Sequence, residues 1–207
     1  MASFYERRIL PGLIACACRA PQIMDKRAAL VPAAQGRVLE LGAGSGLNFA
    51  LYKPEEVSVA IGLEPSAELR ALARQAPKAA GLAVEIVPGA AENLPFESAT
   101  FDTVLTTFTL CSVASLDQAL REARRVLKPS GRLLFCEHGL SPDKSVARWQ
   151  RGLDPFWSRL AGGCHLCRAI GAAVETAGFA FEKVEQTYLP ATPKIVGWTQ
   201  WGSARPR

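Results

Sequence analysis

Three glycines at alternate positions, Gly42, Gly44 and Gly46, follow an apolar run that carries one acid, Val38-Leu39-Glu40-Leu41. Glycines at a strand-to-helix turn permit tight backbone angles and let a ligand approach the main chain without meeting a Cβ. Residues 47–52 read as the start of a helix, whose first N–H groups are unpaired and face the turn. The stretch is therefore a candidate cradle for a nucleoside-like ligand. Its spacing is G-x-G-x-G, which differs from the G-x-G-x-x-G of dinucleotide sites. Glu40 suits an ammonium or hydroxyl partner and would repel a pyrophosphate. A second acid, Glu64, ends the next apolar run, about twenty residues on, where a carboxylate can accept charge-assisted bonds from two ribose hydroxyls.

Groups able to move protons or bind metal are fewer. The histidines are His138 and His165. His138 closes an apolar run, and an ordinary imidazole there suits a mild general base; packing beside Glu137 is the structural alternative. The cysteines are Cys16, Cys18, Cys111, Cys136, Cys164 and Cys167. Six are too few for a disulfide scaffold in a chain of this length, so reduced thiols are expected. Cys164-His165-Leu166-Cys167 and Cys16-Ala17-Cys18 together offer four thiolates for zinc. C-x-C is an unusual half-site, however, and the two pairs are far apart in sequence. No metal is expected, and buried reduced cysteine is the reading.

These residues must be positioned by alternating elements. Strands are expected over 37–41, 57–63, 82–87, 101–107, 132–137, 181–189 and 195–204. Helices are expected over 66–75, capped by Ser66, and over 116–127, where Leu116, Ala119, Leu120, Ala123, Val126 and Leu127 share one face. A third runs over 166–177 and stops at Gly178. Lys128-Pro129-Ser130-Gly131 ends the second helix, and residues 139–163 read as irregular and tryptophan-rich. Ahead of the first strand, residues 4–10 and 23–30 can be helical. The alternation predicts an α/β fold with a mainly parallel, Rossmann-like sheet of seven strands and helices on both faces. Residues 190–194 join the last two strands without a helix, which makes that pair antiparallel. Ligands bind outside the carboxyl ends of such strands. The candidate contacts are thus Glu40, Gly42, Ala43, Gly44, Gly46 and Asn48 after the first strand. Glu64 and Pro65 follow the second, Ala91 and Glu92 the third, and Thr107 ends the fourth.

The chain has 207 residues, 49% hydrophobic and 21% charged, an ordinary balance for a single domain spanning 1–207. Within it, residues 1–36 form a helical extension suited to capping the site, and residues 139–165 an insertion on the acceptor side. A formal net charge of +5 is spread thinly, and no basic helix is interleaved with aromatics, so nucleic acid is not an expected partner. Weak attraction to an anionic membrane surface fits the charge. The best membrane-span candidate, residues 9–18, is far shorter than the roughly 18 apolar residues needed. The chain reads as cytoplasmic.

The nonapeptide 38–46 resembles motif I of the class I S-adenosylmethionine (SAM) methyltransferases, and Glu64-Pro65-Ser66 resembles the acidic turn that follows it. Gly89-Ala90-Ala91-Glu92-Asn93-Leu94-Pro95-Phe96 is similar to the segment that holds adenine in that family, with Ala90 in place of the usual aspartate. The main chain at Ala91 and Glu92, or the Glu92 side chain, then has to serve. Phe101-Asp102-Thr103-Val104 and the stretch from Arg125 to Gly131 match as well; Asp102, at the start of its strand, is given a structural role. Thr109-Leu110-Cys111-Ser112-Val113, Glu137-His138, Trp149-Gln150, Asp154-Pro155-x-Trp157 and Gly163-Cys164-x-Leu166-x-Arg168 resemble the methyltransferase-like thiol S-methyltransferases and their bacterial relatives. The resemblance implies SAM as cofactor and a small thiol or hydrosulfide as methyl acceptor. A thiol is already partly ionised near neutrality and needs little help from a base. Methylation of a phospholipid headgroup amine or a quinone precursor, and a non-catalytic SAM-binding role, are the competing readings.

Overall fold

The computed structural model describes Tyr5 and residues 8–207. Of the helix expected over 4–10, residues 4, 6 and 7 lie outside the described residues. Two helices lead in, α1 (Leu10–Ala17) and α2 (Pro21–Leu30), each with proline in its first turn. Proline is tolerated there because the first helical N–H groups have no partner to lose. Pro11 therefore sits in the first turn of α1 and does not interrupt it.

Strands β1 (Gly36–Leu41), β2 (Val57–Leu63), β3 (Val84–Val87), β4 (Phe101–Thr107) and β5 (Leu127–His138) run parallel. Between them lie α3 (Ala67–Gln75), with Ser66 Oγ accepting the Leu69 N–H as its cap, and α4 (Leu116–Val126), capped in the same way by Ser115. After β5 come α5 (Lys144–Leu160), α6 (Ile170–Thr176), β6 (Phe179–Tyr188), the one-turn α7 (Lys194–Gly197) and β7 (Trp198–Pro206). The sheet order is β3-β2-β1-β4-β5-β7-β6. β7 is antiparallel to both of its neighbours. The order reverses between β1 and β4, and a crevice opens at the carboxyl ends of those two strands.

Both faces of the sheet are covered, as a parallel sheet requires. Alternate residues divide between two cores: Leu39, Leu41, Ile61 and Val104 face α4 and α6, while Val38, Ala60, Leu105 and Leu134 face Leu30, Phe49 and Ala73. On α4 the buried positions Ala119, Leu120, Ala123 and Val126 follow the helical spacing. Truncating a fully buried leucine such as Leu120 to alanine costs about 2–5 kcal/mol.

Four local expectations are corrected. Residues 47–52 form successive tight turns in place of a helix, closed by Gly46 N–H to Ala43 O, Phe49 N–H to Gly46 O and Leu51 N–H to Asn48 O. The Asn48 side chain is drawn inward to Glu40 and Thr107, which holds the backbone in this path. Residues 128–131 belong to β5 and do not end in a loop. The helix expected over 166–177 is confined to Ile170–Thr176, and a single helical turn, α7, precedes β7.

The fourth correction is the largest. The stretch expected to be irregular contains the 17-residue helix α5, with Pro155 inside it. Its pattern is inverted. The buried positions are Ala147, Gln150 and Asp154, whereas Trp149, Leu153, Phe156, Trp157 and Leu160 are exposed. Gln150 is satisfied internally: its Oε1 accepts the Ser141 N–H, and its Nε2 donates to the carbonyls of Gly139 and Ile195. Asp154 accepts from the Leu166 N–H and from His165 Nδ1. Polar anchors hold this helix down, where α4 is held by apolar ones. Among the described residues no helix is long and apolar enough to cross a membrane.

Candidate active site

A cavity of about 440 Å³ opens at the carboxyl ends of the parallel strands, within the roughly 300–1,000 Å³ usual for small-molecule sites. Gly42, Ala43, Gly44, Glu64, Pro65, Ala91, Glu92 and Thr107 line it. Glu40, Gly46 and Asn48 do not lie on its wall, and neither does His138.

The glycine turn has the geometry its residues demand. Gly42 has φ +64°, and a Cβ there would come within 2.4 Å of the Thr109 side chain. Gly46 has φ +79°, and a Cβ would press on Ala76 and the Phe49 ring. Gly44, at φ +56°, differs: the position of its missing Cβ has only the Gly42 carbonyl oxygen nearby, at 3.9 Å, so a side chain there would take up cavity space. With no regular helix following, the donors at this turn are loop N–H groups. One of them, Gly44 N–H, reaches Glu64 Oε2 at 2.9 Å.

Glu64 Oε1 accepts the Ser66 N–H at 2.9 Å. Burial pushes this carboxyl up, and the two backbone donors partly offset that. Arg70 Nη1 braces the turn by donating to the carbonyls of Glu64 and Pro65. Each carboxylate oxygen keeps a further lone pair for a ligand hydroxyl. Glu92 is differently placed: its Oε1 accepts the N–H groups of Ala114 and Ser115, so its side chain is spent on the start of α4, and its carbonyl accepts Gln118 Nε2–H. Asp102 sits at the opposite end of the sheet, bonded to Lys128 Nζ and the Arg37 N–H, in the structural position expected of it.

Behind the turn lies a buried polar network. Glu40 is 1% exposed and accepts Asn48 Nδ2–H and Tyr52 O–H, each at 2.8 Å. Burial lifts its carboxyl to about 7, against the pull of Tyr52, Arg27 and Asn48. Arg27, from α2, completes the network by donating through Nη1 to Asn48 Oδ1 at 2.9 Å and to Thr107 Oγ1 at 2.5 Å. Arg27 also lines the cavity, and its Nε has no partner. Nothing in the spacing of the sequence marks this arginine, because its hydrogen-bond partners lie on two other segments, at Asn48 and Thr107.

The other end of the cavity is walled by Leu10, Pro11, Ile14 and Cys18 of the N-terminal helices, together with Phe108, Ser112 and Gly162. Phe108 adopts φ +55°, an uncommon backbone for an aromatic residue. Its ring stacks on His138 with centroids 6.5 Å apart. His138 Nε2 is 3.0 Å from Cys164 Sγ, and its Nδ1 is buried without a partner. Trp157 Nε1–H points at the same sulfur. Glu137, fully buried, accepts Thr106 Oγ1–H and the Thr109 N–H and so fixes the loop between β4 and α4. Of the two cysteine pairs considered from sequence, the structure brings only Cys164 into a cluster of possible metal ligands, with Cys111 and His138.

Residues 39–135 match the methyltransferase domain model. The chain is 36% identical over 168 residues to thiol S-methyltransferase TMT1B of Rattus norvegicus, covering 77% of this chain and 68% of that protein. It is 34% identical over 170 residues to a phosphatidylethanolamine N-methyltransferase of Cereibacter sphaeroides, covering 81% of this chain and 80% of that one. In three dimensions it superposes on a chain from the complex between the Haloferax volcanii Trm112 methyltransferase activator and a methyltransferase, with a TM-score of 0.72 at 16% identity, over 94% of this chain and 93% of that one. The chain belongs to the class I SAM-dependent methyltransferases and is an enzyme of that family with SAM as methyl donor. Among them it stands close to the thiol S-methyltransferases, the group that the sequence motifs resemble. The open space over Gly44 beside a buried carboxylate fits a nucleoside carrying a sulfonium.

Proposed function

We propose that this enzyme transfers the sulfonium methyl group of SAM to a small thiol or hydrosulfide. Gly42, Ala43, Gly44 and Glu64 hold the nucleoside, with Glu64 on the ribose hydroxyls and the main chain at Ala91 and Glu92 beside the base. The observation that carries the thiol reading is Arg27. It puts a buried cation beside Leu10, Ile14 and Phe108, at an end of the cavity that no histidine or carboxylate lines among the described residues. A cation there favours an anionic nucleophile and disfavours an ammonium. A thiolate needs only alignment with the methyl group and exclusion of water. His138, the base expected from sequence, is turned toward Cys164, which supports a positioning role for it.

The test is incubation with SAM and a panel of hydrogen sulfide, small thiols, phosphatidylethanolamine and quinol precursors, with products identified by mass spectrometry. An S-methyl product is expected, at a rate that rises with pH until the acceptor is ionised. Methylated lipid or quinol with no S-methyl product would overturn the thiol assignment.

The exposed apolar stripe of α5 lies among Lys144, Arg148, Arg151 and Arg159, all exposed. That combination supports weak attachment to an anionic lipid surface.

A further inference from the structure

Cys111 in the turn after β4, His138 at the end of β5 and Cys164 after α5 come from three separate segments. Their ligand atoms all lie within 4.8 Å of one another. Cys111 and His138 are buried and Cys164 is partly so. Zinc bonds of about 2.3 Å to sulfur and 2.0–2.1 Å to nitrogen give tetrahedral ligand separations of roughly 3.5–3.8 Å. The 3.0 Å between His138 Nε2 and Cys164 Sγ and the 4.8 Å limit of the set bracket those separations. Closing on an ion therefore requires side-chain adjustments of about an ångström or less. Two thiolates and one neutral imidazole cancel the charge of a divalent ion, which a buried site requires. Among the described residues the imidazole ring hydrogen-bonds Cys164 alone, and its Nδ1 is unpartnered. The donor set is soft, which selects a thiophilic d¹⁰ ion over magnesium or calcium.

We propose that Cys111, His138 and Cys164 form a Cys₂His site for zinc, with the fourth position open to the acceptor end of the cavity. Three protein ligands and one open position are the arrangement of a catalytic zinc site. None of the three ligands lies on the cavity wall itself; the cluster adjoins that end through Phe108, whose ring stacks on His138, through Ser112, next to Cys111, and through Gly162, two residues before Cys164. The open position would take the acceptor sulfur, binding it as thiolate and releasing its proton to solvent; this last step rests on the thiol reading above. The sulfur keeps a lone pair to form its bond to the methyl carbon as the sulfonium carbon–sulfur bond breaks.

The experiment uses the full chain purified without chelator. Zinc is measured by elemental analysis, and the protein is reconstituted with cobalt(II) as a spectroscopic probe. The proposal expects one ion per chain and a near-ultraviolet thiolate-to-cobalt charge-transfer band whose intensity reports two thiolates. Cys111→Ser and Cys164→Ser should each lower affinity by more than the roughly hundredfold that outer-shell partners alone can cost. Cys16→Ser and Cys167→Ser should leave it unchanged. SAM affinity, measured by calorimetry on every variant, reports folding, and the native cobalt spectrum counts thiolates even where a variant fails to fold. No retained ion and no charge-transfer band would overturn the site, as would a band lost in Cys167→Ser but kept in Cys111→Ser. Hydrosulfide should perturb the cobalt spectrum. An unchanged spectrum in an enzyme that still methylates hydrosulfide would remove the open position while leaving the thiol reading intact. A perturbed spectrum with no S-methyl product would do the reverse.

Discussion

At the proposed cofactor end of the cavity the wall is made by the turn at Gly42 and Gly44, the strand end at Glu64 and the segment through Ala91, much of it backbone. At the proposed acceptor end it is side chains from α1, α2 and the segment after β4, with the backbone of Gly162 after α5. The first end is built by residues close in sequence that obey local rules about glycine and strand termini. The second is assembled by tertiary packing from distant pieces. A nucleoside can be bound by such a backbone frame, while acceptor choice has to rest on side chains.

The largest effect expected at the cofactor end concerns Glu40, which supports the turn from behind. Its carboxyl is lifted to about 7 from an ordinary 4.5. Below pH 4.5 the group is neutral in both folded and unfolded chains and costs nothing. Between 4.5 and about 7 the unfolded chain ionises first, so stability falls as pH rises. Above about 7 the penalty is constant, on the order of 3 kcal/mol from 1.36 kcal/mol per unit. Glu40→Gln should remove this fall, as read by chemical denaturation from pH 4 to 8. The other raised carboxyls, Glu64 and Glu137, contribute in the same direction, so the difference between wild type and variant is the quantity to measure. A difference that does not vary with pH would place the ionisation elsewhere.

The same contrast explains what could be read from sequence. β2 and β4 match their expected limits, and α4 differs by one residue, because in each the apolar spacing matches the face that packs. The glycine turn and Glu64 were legible because positive φ and a strand-end acid leave local signatures. Helix α5 was hidden by its inverted pattern, in which glutamine and aspartate are buried while tryptophan and phenylalanine face outward. Arg27 and the grouping of Cys111 with His138 and Cys164 have no local signature, since each depends on partners on other segments. Asn48 was placed at the ligand but serves the network behind it, because its amide can bond Glu40 and Thr107 at once.

A smaller effect is expected at Glu64, which lines the cavity itself. Glu64→Ala should weaken SAM binding by about 1.5–3 kcal/mol, the range for hydrogen bonds to charged groups. Loss of the bonds from Gly44 and Ser66 loosens the turn, so the chain's own stability must be measured alongside. Unchanged affinity in the folded variant would take Glu64 out of the cofactor contact and leave the glycine backbone as the whole of that end.

The smallest effect on stability is expected at the opposite extreme of the molecule, on the outer face of α5. Trp149 is 68% exposed and Phe156 65% exposed. Neither side chain contributes a fully buried surface, so replacing both should change folding stability by no more than about 0.5 kcal/mol each. The helix is held instead by Gln150 and Asp154 on its inner face. If the stripe meets a lipid surface, its removal should be felt there and nowhere else. Trp149→Ser with Phe156→Ser should reduce co-sedimentation with vesicles containing phosphatidylserine while SAM affinity stays as in wild type. High salt should reduce the wild type's binding further, because the arginines alongside act through screened charge. Equal vesicle binding by both proteins would show that the exposed aromatics serve no lipid contact. A marked loss of folding stability would show instead that α5 leans on its outer face, and that its polar anchors are not what holds it.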